Sequence, residues 1–217
     1  MGAITRQALR VGAQQREAAL GQRALTLWLT GLPGAGKSTL ATALDERLFE
    51  LGRHCFVLDG DNLRHGLCSD LGFSAADRHE NIRRVAEVAR LLNDAGLIVI
   101  AALVSPYRAD RDMARQIVGS PRFAEVHVAA PLAVCEARDP KGLYRKARAG
   151  LMPGLTGVDA PYEVPLAPSL TLDTSRLSVD TSLQQLFELV QGRGGRASAN
   201  APSDSTPSPA STSISSR

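Results

Sequence analysis

The sequence predicts a three-layer α/β fold in which helices flank a parallel β-sheet on both faces. Three observations predict it. Apolar strand-like runs alternate with amphipathic helical patterns across residues 25–191. The first run passes directly into a glycine-rich turn and then a helix. The polar clusters fall just after the strands, where open α/β sheets collect their ligands.

Taken in order, Leu25–Thr30 (LTLWLT) is the first strand. Lys37–Leu51 follows as a helix with Leu40, Leu44, Leu48 and Leu51 on one face, and Gly52 stops it. Cys55–Leu58 is a second strand ending at Asp59. Asn81–Ala95 is an amphipathic helix presenting Ile82, Val85, Val88, Ala89 and Leu92, terminated by Gly96. Leu97–Val104 (LIVIAALV) is the purest apolar run and reads as a central parallel strand. Arg111–Val118 is a short helix, Glu125–Ala129 a fourth strand, Leu170–Leu172 a fifth, and Leu183–Val190 a closing helix.

Residues 1–24 are polar and rich in Gln, Arg and Ala, able to form a loose helix ahead of the core. Residues 192–217 are Gly, Ser, Pro and Ala with almost no large apolar groups, so they predict a disordered tail that cannot offset its ordering entropy. Residues 25–191 are then the single folded domain.

The net charge is +3 at pH 7. Residues 1–24 carry +3 and residues 192–217 carry +2, which leaves −2 for the body. The basicity belongs to the ends, so no nucleic-acid partner is expected. No apolar run approaches the ~20 residues of a membrane span, and no membrane partner is expected. The start, MGAITRQALRVGAQQ, lacks the apolar region of a secretory signal, and Arg6 stands where a myristoylation signal needs Ser or Thr. The expected location is the cytoplasm. The three cysteines, Cys55, Cys68 and Cys135, have no metal or disulfide spacing. Cys55 and Cys135 read as small core residues, and Cys68 stays unassigned.

The strongest motif is Gly31–Thr39, GLPGAGKST, which meets G-x-x-x-x-G-K-[ST] between a strand and a helix. Its glycines let successive N–H groups point at phosphate oxygens, and the helix adds its positive N-terminal end. Gly31, Gly34, Ala35, Gly36, Lys37, Ser38 and Thr39 therefore form the candidate ATP cradle. Lys37 supplies charge to the β and γ phosphates, and Ser38 Oγ is the expected Mg²⁺ ligand. Asp59 is a further candidate for Mg²⁺ through water. The motifs that a translational GTPase needs, DxxG and NKxD, are missing. A small kinase needs an acceptor site, a base and a basic lid. Asp59, Asp61 and Asn62 end the second strand; Arg64, Arg78 and Arg84 suit an anionic acceptor; residues 141–165 are basic and rich in Gly and Pro.

These stretches resemble the adenylylsulfate kinase family of P-loop kinases. The resemblance is carried by GLPGAGKST, LDGDNLRHGL (58–67), DLGFSAADRHENIRRVAEVARL (70–91), SPYRADRD (105–112), PLAVCEARDPKGLYRKARAG (131–150) and GLTGVDAPYEVP (154–165), and covers about residues 20–190. It implies transfer of the ATP γ-phosphate to the 3′-hydroxyl of adenosine 5′-phosphosulfate (adenylyl sulfate), in sulfate assimilation, with Mg²⁺. By the same resemblance Asp61 is the catalytic base, and Asn62 and Arg64 share its acceptor-binding turn. Phe73 matches the aromatic stacking on the acceptor adenine, and Arg78 and Asn81 its polar clamp. Val104 and Ser105 match the acceptor wall, Lys141 the lid lysine, and Gly154 and Leu155 the lid backbone. Ser105 is read first as a contact, although some family descriptions make it a phosphoserine. The chain departs from the usual pattern at Pro33 (Ser), Cys68 (Asn) and Leu155 (Phe). A stand-alone kinase is expected, with no fused sulfurylase, acting as a homodimer in one pathway with a sulfate adenylyltransferase. Two alternatives remain open: a P-loop kinase for another nucleoside or sugar acceptor, and a catalytically silent nucleotide-binding regulator.

Overall fold

A computed structural model describes residues 5, 7 and 9–194. The sheet has five parallel strands: β1 (Leu25–Thr30), β2 (Cys55–Asp59), β3 (Ile98–Ala102), β4 (Phe123–Ala129) and β5 (Leu170–Asp173), in the order β2-β3-β1-β4-β5. The helices are α1 (Ala13–Leu20), α2 (Lys37–Glu50), α3 (Gly60–Arg64), α4 (Ala75–Asp94), α5 (Arg108–Val118), α6 (Leu132–Arg138), α7 (Leu143–Arg148) and α8 (Val179–Gly194). The strand expected to be central, β3, is an interior strand, and β1 holds the centre. All six residues of β1 are buried.

The three layers follow from the period-2 alternation of β1. Leu25, Leu27 and Leu29 pack with Leu40, Leu44 and Leu48 of α2 and Leu186, Phe187 and Val190 of α8. Trp28 faces the other way, onto Val85 and Ala89 of α4 and Ala114 of α5. Each of the three α2 leucines is essentially fully buried, which stabilises by about 1.5–3 kcal/mol per side chain. The fourth expected member, Leu51, is more than half exposed. It lies past the end of α2 as its C-cap, so it has left the helical phase. Gly52 then takes φ +69°, a left-handed stop that suits glycine.

Element ends differ from the sequence reading where caps or contacts from elsewhere decide. The helix expected from Asn81 starts at Ala75 because the Ser74 hydroxyl accepts from the Asp77 N–H. The helix expected from Arg111 starts at Arg108, whose N–H donates to Glu163 Oε2, 55 residues further along the chain. Helices α3, α6 and α7 were not expected. Asp59 caps α3 by accepting from Asp61 and Asn62 N–H. Asp139 caps α7 by accepting from Tyr144 and Arg145 N–H. Residues 192–194 of the expected tail continue α8; residues 195–217, and positions 1–4, 6 and 8, lie outside the described residues. Cys68 and Cys135 are buried, whereas Cys55 is half-buried.

The order of connection reverses at β1: the chain moves to one side for β2 and β3, then crosses to the other for β4 and β5. Ligands bind beyond the carboxyl ends of the strands at such a switch point. The turn after β1 is the glycine cradle.

Candidate active site

A cavity of about 810 Å³ opens over the carboxyl ends of the strands. One end is the glycine turn. Gly36 has φ +99° and caps α2, and a Cβ built on it meets nothing nearer than 3.9 Å. The space in front of it is open, and the N-terminal N–H groups of α2 face an anion there. Gly31 differs: a Cβ there would stand 2.3 Å from Val128 O, so the chain has no room for a side chain. Lys37 is buried, and its ammonium donates to Gly31 O at 2.9 Å and Leu32 O at 2.8 Å. Desolvation lowers its pKa to about 8, against partial support from nearby thiol and carboxylate charge. Ser38 Oγ donates to Asp59 Oδ2 at 2.7 Å. This pair of hard oxygen donors beside the cradle suits Mg²⁺.

The other end is aromatic and basic. Phe73 is 63% exposed, so it is not core. Arg64 lies 4.3 Å and Arg78 5.7 Å from its ring centroid, a platform held by cation–π attraction. Arg64 Nη1 also donates to Gly72 O at 2.9 Å. Arg78 Nη2 donates to Gly154 O at 2.8 Å and so ties α4 to the backbone of the 141–165 stretch. Asn81 is buried in the wall, and among the described residues its Oδ1 has no hydrogen-bond partner. An unpaired buried carbonyl oxygen costs roughly 1–3 kcal/mol, and a donor from a bound molecule would remove that cost. Leu103, Val104, Ser105 and Pro106 complete this wall.

Between the two ends stands Asp61, in the first turn of α3 and ion-paired with Lys141. Both side chains are more than half exposed. Such pairs are worth about 0–1 kcal/mol, so a ligand can replace this one.

Of the residues singled out in the sequence, Gly34, Gly36, Lys37, Ser38, Thr39, Asp59, Asp61, Arg64, Phe73, Arg78, Asn81, Val104, Ser105, Lys141, Gly154 and Leu155 share this one cavity. Four do not line it: Gly31, Ala35, Asn62 and Arg84. Gly31 and Ala35 shape the turn from behind, with Ala35 fully buried and its carbonyl accepting from Thr174 Oγ1 at 2.8 Å. Asn62 faces a shallower neighbouring pocket with Thr42 and Asp45. Arg84 is a further correction: its guanidinium is taken up by Asp70 and Glu80. Together with Arg83 it holds the Glu80 carboxyl down to about 2. Ser105 lines the wall but its hydroxyl accepts from Trp28 Nε1 at 3.1 Å and is buried.

Sequence reasoning missed Arg138, Thr174, Leu177, Val179 and Ser182, which also line the cavity. Thr174 follows β5, so the rule that placed the other polar clusters applies to it as well.

The family model for adenylylsulphate kinase matches residues 23–173. The chain belongs to the adenylylsulphate kinase family. A protein of Shewanella amazonensis named adenylyl-sulfate kinase is 58% identical over 179 residues, covering 82% of this chain and 90% of the relative. One of Escherichia coli K12 with the same name is 57% identical over 181 residues, covering 83% and 90%. Among solved structures, the Mycobacterium tuberculosis APS kinase in complex with AMPPNP and APS superposes with a TM-score of 0.76 at 47% identity, covering 78% of this chain and 98% of that one. A hexameric APS kinase from Thiobacillus denitrificans superposes at 0.60 with 35% identity, covering 82% of this chain and 30% of that longer one. The family is an ATP-dependent kinase family, as the cradle leads one to expect.

Proposed function

We propose that this chain is an adenylyl-sulfate kinase, moving the γ-phosphate of ATP to the 3′-hydroxyl of adenylyl sulfate to give 3′-phosphoadenylyl sulfate. The observation that carries the reading is the single cavity that joins a phosphate cradle to an arginine-flanked aromatic platform with Asp61 between them.

At the donor end, the α2 N–H groups and Lys37 bind the triphosphate. Ser38 Oγ, with Asp59 behind it, would hold Mg²⁺, which neutralises charge on the β and γ phosphates when bound. At the acceptor end, Phe73 takes the face of the adenine, and Arg64 and Arg78 lie beside it for the phosphosulfate charge. Asn81 Oδ1 accepts from the same acceptor. Asp61, released from Lys141, takes the proton of the attacking hydroxyl. Lys141 is then free for the phosphates. Residues 141–165 act as the lid that excludes water. Ser105 is a wall residue in this reading, because its hydroxyl is engaged with Trp28. No phosphoserine is needed for direct in-line transfer.

The three free cysteines fit a reducing compartment, the cytoplasm. Among the described residues no helix is long and apolar enough to cross a membrane. A homodimer completes the reading, supplied with adenylyl sulfate by a sulfate adenylyltransferase.

The test is coupled ADP release with adenylyl sulfate against a panel of nucleosides and sugars, with and without Mg²⁺. Mg²⁺-dependent turnover on adenylyl sulfate alone is expected. Faster turnover on another acceptor, or nucleotide binding with no turnover on any, would overturn the assignment.

A further inference from the structure

We propose that Arg111 is a positioning residue for the acceptor half of the cavity, fastening its wall at Ser105 to the C-terminal end of the lid at Glu163. The inference rests on the kinase reading above. Arg111 is 1% exposed and does not line the cavity. Each of its three nitrogens serves a different part of the chain. Nε donates to Glu125 Oε1 on β4 at 2.6 Å, Nη1 to Ser105 O after β3 at 2.7 Å, and Nη2 to Glu163 O near the end of the 141–165 stretch at 2.7 Å.

Ser105 needs such a hold. Its φ is +37°, left-handed for a residue with a side chain. Such backbone persists only where its surroundings over-determine it. Arg111 grips its carbonyl while Trp28 donates to its hydroxyl from the core. The C-terminal end of the lid is docked on the same wall by further bonds. Glu163 N–H donates to Pro106 O at 2.9 Å. The Tyr162 hydroxyl lies 3.0 Å from Thr30 Oγ1, which donates to Val104 O at 2.8 Å. Thr30 is the last residue of β1 before the cradle. The lid's C-terminal anchor, the acceptor wall and the strand that carries the cradle therefore meet at one junction, and Arg111 is its buried centre.

A buried ion pair is weak evidence for stability, since apolar replacements often do as well. Arg111 spends only one nitrogen on Glu125, which Arg115 also neutralises at 2.8 Å. Its other donors go to the two carbonyls that set the wall and the lid anchor. A lysine cannot reach three directions from one planar group.

The test uses the full chain with Arg111→Lys, the charge-free pair Arg111→Met with Glu125→Gln, and Tyr162→Phe. KM is measured separately for ATP and adenylyl sulfate, and hydrogen exchange is followed over residues 103–108 and 160–165. Arg111→Lys is expected to raise the KM for adenylyl sulfate about tenfold, as small misplacements of a binding wall do, with the KM for ATP unchanged and faster exchange in both segments. Tyr162→Phe, which keeps the core intact, should show the same pattern more weakly. It decides the matter if the Arg111 variants fail to fold. Unchanged kinetics, or equal rises in both KM values, would overturn the proposal. Should the wild-type chain turn over no acceptor, the kinase reading falls alone; unaltered exchange in the two segments would still overturn the anchoring role.

Discussion

Lys37 sits where its charge is costly, and that cost is part of how the cradle works. Burial lowers its pKa to about 8 from an ordinary 10.5. With a folded pKa below the unfolded one, the unfolded chain binds more protons between about pH 8 and 10.5. Lys37 therefore destabilises the empty fold at neutral pH, and its contribution improves as pH rises through that window. Phosphate oxygens reverse the preference by pairing with the ammonium. Nucleotide binding above pH 8 should take up a proton, and kcat/KM for ATP should fall as pH rises through about 8. Calorimetry in buffers of different ionisation enthalpy, beside the pH–rate profile, checks both. Proton-neutral binding at pH 9 would contradict the account. Asp61 makes a separate prediction: Asp61→Asn should lower kcat by about 10²–10⁴-fold, the usual contribution of a general base, while ATP affinity survives. Near-normal turnover would remove Asp61 from the chemistry.

At the scale of elements, the glycine turn joins two different demands that a shared motif conceals. Gly31 faces Val128 O with no room for a Cβ, whereas Gly36 faces open cavity. Gly31→Ala should therefore act on the fold, forcing β1 and β4 apart at their ends and lowering Tm. Gly36→Ala should fold with a strain of roughly 1–2 kcal/mol for its left-handed backbone and lose most ATP binding, because its methyl enters the phosphate space. Thermal melts with and without MgADP separate the two; equal loss of ligand response with equal Tm would refute the distinction. The proposed lid, residues 141–165, is likewise more built than its Gly and Pro content implies. Tyr144 on α7 is buried and donates to Pro33 O in the cradle at 2.9 Å. The start of that stretch is thereby braced against the glycine turn.

For the whole molecule, stability rests on two apolar layers divided by the sheet, and chemistry on one edge of that sheet. Leu44 belongs to the first layer, is fully buried and does not line the cavity. Leu44→Ala should cost about 2–5 kcal/mol and lower Tm by roughly 2–4 °C per kcal/mol in a chain of this size. MgADP at a hundred times its Kd should return about 2.7 kcal/mol of that. A Leu44→Ala protein with wild-type Tm would mean that α2 is not held by this face. A variant that melts early and no longer responds to MgADP would mean that core and cradle are not separable.

Residues 25–191 were legible as alternating strands and helices because each apolar face repeats within a few residues, and that periodicity is local. The cradle was legible for the same reason: strand, glycine turn, lysine and helix are contiguous in the chain. The sequence thus indicated the fold class, the cradle motif at Gly31–Thr39 and, largely through the family resemblance, sixteen of the residues that line the cavity. What it did not determine depends on groups far apart in the chain. Glu163 decides where α5 begins, across 55 residues. Asp70 and Glu80, not an acceptor, engage Arg84. Thr174 closes the cradle from β5, and Arg111 draws Ser105, Glu125 and Glu163 to one point. These contacts are set by crossovers of the chain. No periodicity records them, because a side chain's partner across the sheet is chosen by packing and not by spacing along the sequence.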